Sequence, residues 1–259
     1  MKIKLYLRKS VEENAGLYFD KAKKAKKKLS GVNRALEQSK EKLKHLNEKV
    51  EAQDTKKKEK RKVEWFEKFR WFFTSEGFMV IGGRDATTNE IVVKKHTDKG
   101  DLVFHTDMSG SPFFVIKAEG KEIPEKSISE AASAVMTFSR AWRAGFSRVE
   151  AFYVSPEQLS KEAPSGEFVG KGSFIVNGKA NYVDGKMDCC LGMKDGMVMA
   201  APMDAVSAYT NKFVVLEQSD SNTKASEIAK KVQKHIGGEV DEIVRVLPPG
   251  NSKIAKFEG

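Results

Sequence analysis

Apolar residues between positions 11 and 50 recur at alternating steps of four and three. Such steps place the apolar side chains on one stripe of an α-helix, and a stripe kept over so many turns is typical of a coiled coil. Apart from Ser39, the stripe residues are apolar: Val11, Ala15, Tyr18, Ala22, Ala25, Leu29, Val32, Leu36, Leu43, Leu46 and Val50. With Ser10 as its cap, the helix would be roughly 60 Å long. The stripe suits either a helical hairpin within one chain or a dimer.

A second, basic helix is predicted for residues 56–73. It begins with lysines and ends with aromatic residues, among which Trp65, Phe69 and Phe72 follow one another at steps of four and three. We expect these three rings to pack in the core of the domain that follows, and stacking on nucleic-acid bases is the alternative.

Short β-branched and aromatic runs come next, separated by Gly, Asp, Asn and Ser. Such runs predict strands of an antiparallel sheet at residues 78–81, 90–96, 102–107 and 112–117. Gly82 and Gly83 predict a sharp turn directly before Arg84 and Asp85. A capping box at residues 127–130 then predicts a helix that continues to residue 145, with one apolar face lying across the sheet.

Further strands are predicted at residues 149–154, 172–178, 212–217 and 242–247, with a hairpin of 187–193 and 197–201 around Lys194-Asp195-Gly196. A short helix is expected from about residue 223 to Gly237. Together these elements predict an α+β fold: a mostly antiparallel sheet domain with a packed helix, preceded by a long coiled-coil helical arm. We expect the arm at residues 1–73, the sheet domain at 74–209 and a small C-terminal αβ extension at 210–259.

Composition and charge narrow the class of protein. The chain has no uncharged apolar run of roughly 18 residues and no apolar signal region at its amino terminus, so neither a membrane span nor secretion is expected. Its two cysteines are adjacent, which predicts no disulfide framework and favours a cytoplasmic location. Residues 1–70 carry a net charge of +12 in a chain of net +10, so the remainder carries −2. This asymmetry predicts an arm that binds a polyanion.

The candidate chemistry is that of binding. Nucleophile-elbow, Walker and dinucleotide-binding motifs are absent. Cations, hydroxyls and turn amides near strand ends are what phosphate-backbone recognition uses. In the sheet domain the candidate RNA-binding residues are Arg84, Asp85, Lys94, Lys95, His105, Asp107, Ser109, Ser111, Lys117, Lys171, Ser173 and Lys179. In the arm the lysine run 21–28 lies off the apolar stripe and either faces solvent or contacts phosphates, with Lys21, Lys24 and Lys28 as candidates.

Catalysis by some of the same residues is the alternative. His105 and Asp107 lie two apart on one predicted strand face, so with His96 they could bind a metal ion, and Asp85 with Asp107 could act as an acid–base pair. Two ligands at this spacing are common by chance. We therefore expect no catalytic residue, no metal ion and no cofactor.

Several short motifs resemble the NFACT family of ribosome-associated quality-control factors, called nuclear export mediator factor in animals and RqcH in bacteria. The motifs include Asn14-Ala15, Tyr18-Phe19, Trp65-Phe66-Glu67-Lys68-Phe69, Trp71-Phe72, Val80-Ile81-Gly82-Gly83-Arg84-Asp85, His105-Thr106-Asp107, Ala163-Pro164-Ser165-Gly166-Glu167 and Gly172-Ser173-Phe174. The closing Val246-Leu247-Pro248-Pro249-Gly250 resembles the archaeal branch. This resemblance implies the coiled coil plus the NFACT-R domain. The NFACT-N domain and helix-hairpin-helix segment of complete members have no counterpart here, so a fragment or a split form is expected.

The resemblance also implies a function. Complete family members bind large ribosomal subunits obstructed by peptidyl-tRNA, and NFACT-R is itself proposed to bind RNA. The expectation is an RNA- and ribosome-binding module without catalysis, located in the cytoplasm, with the large ribosomal subunit and rRNA or tRNA as partners, no membrane and a possible dimer through the coiled coil. The alternatives are an RNA-directed or metal-dependent enzyme using Asp85, His105 and Asp107, and a structural protein whose coiled coil only joins subunits.

Overall fold

The computed structural model describes residues 3–54, 62–162 and 169–259, and it describes side chains for all of these except residues 44–54. The chain divides into two compact units, Met1–Lys62 and Val63–Gly259. Helices and antiparallel sheets give an α+β fold with a long amino-terminal helix, which confirms the predicted fold class. No helix in the described ranges is long and apolar enough to cross a membrane.

The described part of the first unit consists mainly of one long helix, α1 (Val11–Asp54), and the segment before it. Ser10 begins this helix as predicted. The Ser10 hydroxyl accepts a hydrogen bond from the Glu13 amide at 3.2 Å, and the Glu13 carboxylate accepts one from the Ser10 amide at 2.8 Å. This reciprocal capping satisfies two backbone amides at the start of the helix. Several side chains of the predicted stripe are more than half exposed within this chain: Val11, Leu29, Val32, Leu36 and Leu43.

The second unit contains a six-stranded antiparallel sheet. Two short strands outside it, β6 (Leu159–Ser160) and β7 (Ile175–Val176), pair with each other. The strands of the large sheet are β1 (Arg70–Phe73), β2 (Met79–Gly82), β3 (Leu102–Thr106), β4 (Phe114–Ile116), β5 (Ala151–Val154) and β8 (Asn181–Val183). Their order is β1-β2-β4-β3-β5-β8. The interior of this unit is rich in aromatic residues, with Phe69, Phe72, Phe104 and Phe114 fully buried.

A four-stranded antiparallel sheet follows in the chain. Its strands are β9 (Cys189–Lys194), β10 (Met197–Ala201), β11 (Phe213–Gln218) and β12 (Ser252–Glu258), in the order β10-β9-β11-β12. Asp195 and Gly196 have φ angles of 50° and 76° and form the tight turn of the predicted β9–β10 hairpin. Because β11 pairs with β9, the predicted boundary at residue 210 falls between strands of one sheet.

The helix predicted for residues 127–145 is two helices, α3 (Glu125–Thr137) and α4 (Arg140–Ala144). Ser139 separates them, because its hydroxyl donates to the Met136 carbonyl at 2.6 Å and accepts from the Ala141 amide at 3.1 Å. Ser127 does not cap the first helix but lies within it, where its hydroxyl bonds the Glu76 carboxylate at 2.8 Å. Helix α3 packs against β3, β4, β5 and β8, which confirms its predicted place across the sheet.

Residues 90–96, predicted as a strand, belong to helix α2 (Ala86–Lys95). The β-branched run Ile91-Val92-Val93 favours a strand, but Asp85 caps a helix just before it. The buried positions Asn89, Val92 and Val93 then recur at steps of three and one, which place them on one helical face. The cap and the buried face together outweigh the strand propensity of three residues.

Residues 242–247, also predicted as a strand, lie mostly in helix α7 (Val240–Val246), which follows α6 (Ala225–Ile236). Ile243 is fully buried and Leu247 is buried four residues later, a helical spacing that two strand-like valines obscure. The sheet instead ends with β12, which the sequence analysis missed. Helix α5 (Met203–Ser207) and α6 both lie beside this second sheet.

The helix predicted for residues 56–73 falls partly outside the described residues, which resume at residue 62. Where the chain is described, the prediction is wrong. Trp65–Lys68 form one turn of 3-10 helix, and Arg70–Phe73 form the edge strand β1, paired with β2. Trp71 and Phe72 are adjacent in β1 and both buried, so each side of the strand carries an aromatic ring. Aromatic residues at such close spacing satisfy a strand as well as a helix, which explains the error.

Gly82 is the last residue of β2, and the chain bends at Arg84 and Asp85, so the predicted turn lies at these two residues rather than at the glycines. Both glycines instead permit close contacts. A Cβ atom on Gly82 would lie 2.6 Å from the Phe114 ring, and one on Gly83 would lie 1.8 Å from the side-chain oxygen of Asn89. The absence of side chains therefore lets the end of β2 lie directly against β4 and the first turns of α2.

Candidate nucleic-acid interface

A cavity of about 350 Å³ lies in the second unit, where the chain passes from β2 into α2. Four cationic side chains line it: Arg70, Arg84, Arg140 and Lys171. They come from four separate stretches of sequence. The cavity is also lined by Asp85, by His105 of β3, by Ser109 and Ser111 of the β3–β4 connection, and by Ser173 beside Lys171. The structure thus brings together seven of the predicted binding residues and adds Arg70 and Arg140.

Asp85 lines the cavity but serves mainly as the cap of α2. Its carboxylate accepts a hydrogen bond from the Thr88 amide at 2.8 Å, and the Thr88 hydroxyl accepts from the Asp85 amide at 2.9 Å. The bond from the Thr88 amide is the largest cause that holds the pKa of Asp85 below its usual range. The charge of Asp85 is therefore committed to the helix, and the positive end of the α2 dipole lies at the cavity.

Arg84 acts as a clamp between three segments. Its guanidinium donates to the carbonyl oxygens of Phe69 at 2.7 Å and Arg245 at 2.7 Å, with a longer bond to Glu67 at 3.4 Å. Burial, followed by the nearby Arg245, lowers the pKa of Arg84. Since carbonyl oxygens leave the formal charge of the guanidinium uncompensated, Arg84 contributes positive potential to the cavity while it holds the fold.

Arg70 and Arg140 are the two cavity cations that the sequence analysis missed. Arg70 donates to the Leu247 carbonyl at 3.2 Å and lies over the Phe138 ring at 4.3 Å. Burial, and after it the charge of Arg84, lowers the pKa of Arg70 to about 10, so it stays charged at neutral pH. Arg140 is the first residue of α4 and is exposed. Ser139 is recognisable in the sequence as a helix cap, and this places Arg140 in the first turn of a helix. Arg70 lies in a segment predicted to be helical, and no feature of the sequence places it at the cavity.

Lys171 and Ser173 are placed by a short segment that is fastened to α2. Glu90 of α2 accepts a hydrogen bond from the Gly172 amide at 3.0 Å and pairs with Lys161 at 3.2 Å and with Lys94 at 2.7 Å. The bond from Lys94 is the largest cause that lowers the pKa of Glu90 to about 2. Gly172 has a φ of 77°, and a Cβ there would lie 2.5 Å from the Ala86 Cα atom. This segment could not approach the first turn of α2 with a larger residue.

His105 and Ser111 form part of the cavity wall, and hydrogen bonds hold both residues in place. The His105 Nε2 atom is 3.1 Å from the Ser111 carbonyl oxygen, and its ring lies against Phe113 with a centroid distance of 4.3 Å. Burial lowers the pKa of His105. The Ser111 hydroxyl bonds the Met108 carbonyl at 2.8 Å. By contrast, Ser109 and Ser173 are exposed and have hydroxyl groups available to a ligand.

The other predicted residues lie away from the cavity. Lys94 pairs with Glu90, Lys117 pairs with Asp98 and Asp101, and Asp107 accepts a hydrogen bond from the Tyr182 hydroxyl at 3.2 Å. Lys95 and Lys179 are exposed elsewhere on the second unit. Lys21, Lys24 and Lys28 are exposed on α1. Within the described ranges, no group of three or more His, Cys, Asp or Glu residues could hold a metal ion.

The balance of charge in the cavity is strongly positive. In the described part of the chain, none of Arg70, Arg84, Arg140 and Lys171 forms an ion pair, and the single carboxylate in the lining belongs to Asp85. Four cations around one cavity repel each other unless an anion joins them. The arrangement therefore suits a phosphate group, which accepts bonds from guanidinium, ammonium, hydroxyl and amide donors together.

Residues 68–178 match the family described as NFACT protein RNA binding domain. The archaeal Rqc2 homolog aRqcH of Methanocaldococcus jannaschii is 39% identical over 207 residues, which cover 78% of this chain. The chain belongs to the NFACT family. All four cavity cations lie inside the matched RNA-binding domain.

Two animal relatives extend the similarity. The ribosome quality control complex subunit NEMF of Homo sapiens is 39% identical over 177 residues, or 66% of this chain. The NEMF homolog of Drosophila melanogaster is 32% identical over 253 residues, or 94% of this chain. The chain spans 31% of the length of the archaeal relative and 16% and 25% of the human and fly relatives. It therefore corresponds to a minor part of each of these ribosome quality control proteins.

Proposed function

We propose that the chain is the RNA- and ribosome-binding module of a cytoplasmic ribosome quality-control factor that recognises obstructed large subunits carrying peptidyl-tRNA. The observation that supports this most is the cavity in the RNA-binding domain, lined by four cations, none of which forms an ion pair among the described residues. The names of the relatives supply the ribosomal context.

The cavity binds a phosphate of the RNA backbone. Arg140 and Lys171 make the direct contacts, because both side chains are exposed and neither forms a hydrogen bond or an ion pair in the described structure. Arg70 and Arg84 attract the phosphate as fixed charges without bonding to it, since their guanidinium groups already bond to carbonyl oxygens. Contacts of this kind hold RNA without reading its sequence.

Binding without bond-making also fits the state of the candidate catalytic residues. Asp85 caps α2, His105 is bonded to the Ser111 carbonyl, and Asp107 is bonded to Tyr182. The three side chains therefore have separate partners and do not form the hydrogen-bonded set that general acid–base catalysis requires. Metal-dependent turnover of a labelled tRNA by the purified chain would instead establish an enzyme.

The test is RNA affinity after neutralising the two exposed cavity cations. Arg140→Gln combined with Lys171→Gln should remove about two phosphate contacts, weaken binding of single-stranded RNA and flatten the salt slope by about 1.4. The same variant should lose co-sedimentation with large ribosomal subunits. Lys230→Gln on the exposed face of α6 is the matched control and should bind as the wild type does. Equal affinities for all three proteins would contradict the proposal.

A further inference from the structure

Trp65 differs from the other two tryptophans of the chain in its exposure. Trp71 and Trp142 are 6% and 2% exposed, whereas Trp65 is 47% exposed. The neighbouring rings Phe66 and Phe69 are buried. The sequence predicts that Trp65, Phe69 and Phe72 pack in the core, and the structure confirms this for Phe69 and Phe72 but leaves about half of Trp65 at the surface.

The exposed indole is held in a fixed orientation. It stacks on the His96 ring with a centroid distance of 4.8 Å and an interplanar angle of 14°, and Phe66 and Phe69 make edge contacts with it at 5.8 and 6.5 Å. His96 is the residue that ends α2, and the Phe69 carbonyl is bonded to Arg84. The ring is therefore supported by two rigid elements, so little conformational entropy would be lost when a ligand binds to it.

Positive charge surrounds this pair of rings. After burial, the charges of Lys68, Lys117 and Lys95 are the causes that lower the pKa of His96. Lys117 is engaged with Asp98 and Asp101, but Lys68 and Lys95 are exposed and form no ion pair within the described ranges. Lys68 lies over the Phe69 ring at 4.9 Å. An exposed flat ring flanked by ammonium groups that no carboxylate neutralises in the described ranges has the chemistry of a single-stranded nucleic-acid site.

We infer that the stacked pair of Trp65 and His96 is a platform on which one base of single-stranded RNA stacks. This inference rests on the proposed RNA-binding function and specifies its ligand further, because only an unpaired base exposes the face that stacking needs. The platform lies at the carboxyl end of α2 and the cationic cavity at its amino end. A ten-residue helix is about 15 Å long, a distance that a few nucleotides can span.

The test uses an oligoadenylate of about ten nucleotides and an abasic ribose-phosphate oligomer of the same length. Because Trp65 is the one exposed tryptophan among the three, binding of oligoadenylate should change the intrinsic fluorescence and protect it from acrylamide quenching. Trp65→Ala should weaken oligoadenylate binding about 5- to 150-fold, and Trp65→Phe should restore most of it. The abasic oligomer should bind the wild type and Trp65→Ala equally, since it offers phosphates but no base.

The outcomes separate the platform from the proposed function. If Trp65→Ala weakens both oligomers equally, or neither, the platform is wrong while RNA binding by the module stands. If the wild type binds no RNA and no ribosomal subunits, the proposed function is wrong and the platform falls with it. Thermal unfolding of Trp65→Ala and Trp65→Phe provides the control, because equal stability of the two variants excludes a packing defect as the cause of a selective loss.

Discussion

Arg84 shows how one residue can belong to a binding motif and still serve the fold. In the sequence, an arginine directly after two glycines suggests a guanidinium free to meet a phosphate. In the structure, that guanidinium reaches the carbonyl oxygens of Phe69 and Arg245, from the first strand region and from α7. The Arg84 guanidinium adds positive charge to the cavity, but its hydrogen bonds join segments that are far apart in the chain.

Replacing Arg84 with Lys should therefore destabilise the second unit more than it changes the charge of the cavity. An ammonium cannot reproduce the fork of donors, so the carbonyl oxygen of buried Phe69 or that of Arg245 would lose its partner. We therefore expect the free energy of unfolding to fall by about 2–3 kcal/mol. Urea unfolding measures this. Arg140→Lys is the matched control and should leave stability unchanged, because Arg140 is exposed. A selective loss of RNA affinity at wild-type stability would show that Arg84 is a direct ligand instead.

At the scale of elements, patterns that extend over many residues were predictable and short ones were not. The stripe of α1 repeats over eleven turns, and the β9–β10 hairpin carries a turn sequence with flanking strands, so each was recognised. Helix α2 was missed because Ile91-Val92-Val93 dominates a segment of ten residues, and the deciding cap lies just outside it at Asp85. Helix α7 has seven residues and was missed because Val244 and Val246 favour a strand.

The candidate site was predictable only in part, for a related reason. Arg84, Asp85 and Ser109 could be proposed because they follow strands in the sequence. Arg70 and Arg140 could not, because their positions depend on the pairing of β1 with β2 and on the break at Ser139. Tertiary contacts such as these, between residues far apart in the chain, are set by packing rather than by local propensity.

The apolar stripe of α1 leads to a prediction for that element. Leu29, Leu36 and Leu43 are more than half exposed within this chain, which is unfavourable unless another helix covers them in solution. If the stripe is covered as the coiled-coil pattern predicts, Leu36→Ala and Leu43→Ala should each cost about 2–5 kcal/mol and reduce helicity. Lys42→Ala, on the same helix but off the stripe, is the control. Wild-type melting of both leucine variants would show that the stripe remains uncovered.

The same melts, recorded by circular dichroism at several protein concentrations, distinguish the two partners that the sequence leaves open. A melting temperature that rises with concentration indicates pairing between chains, since association shifts the equilibrium by mass action. A melting temperature independent of concentration indicates a hairpin within one chain. Either result is compatible with a coiled coil, and only the first gives a dimer.

At the scale of the whole molecule, charge is distributed unevenly in two ways. Residues 1–70 carry +12 and the remainder carries −2, yet the cationic cavity lies in the second unit, which is otherwise rich in acidic residues. In the second unit positive charge is therefore concentrated at the cavity, whereas in the first unit it is spread along the chain. We expect the cavity to position RNA and the lysines of α1 to supply most of the salt-dependent affinity, because the latter are more numerous and fully solvated.

The lysine run of α1 provides the test of this division. Its six lysines are exposed and have no acidic residue among them: Lys21, Lys23, Lys24, Lys26, Lys27 and Lys28. They surround the helix, so about half can face one polyanion, which implies roughly three contacts and a contribution of about −2 to −3 to the slope of log affinity against log salt. Replacing all six with Gln should flatten the slope by that amount while the helix persists, because Gln has good helix propensity.

The matched control replaces exposed lysines of the second unit that lie at or on α6, namely Lys224, Lys230, Lys231 and Lys234. It removes charge without touching either proposed binding surface, so its slope should stay near that of the wild type. The measurement is a salt titration of affinity for single-stranded RNA and for large ribosomal subunits. Counterion release depends on the number of phosphates contacted and not on the net charge of the protein. If both variants flatten the slope equally, α1 acts only through general charge, and the cavity must supply the specific contacts alone.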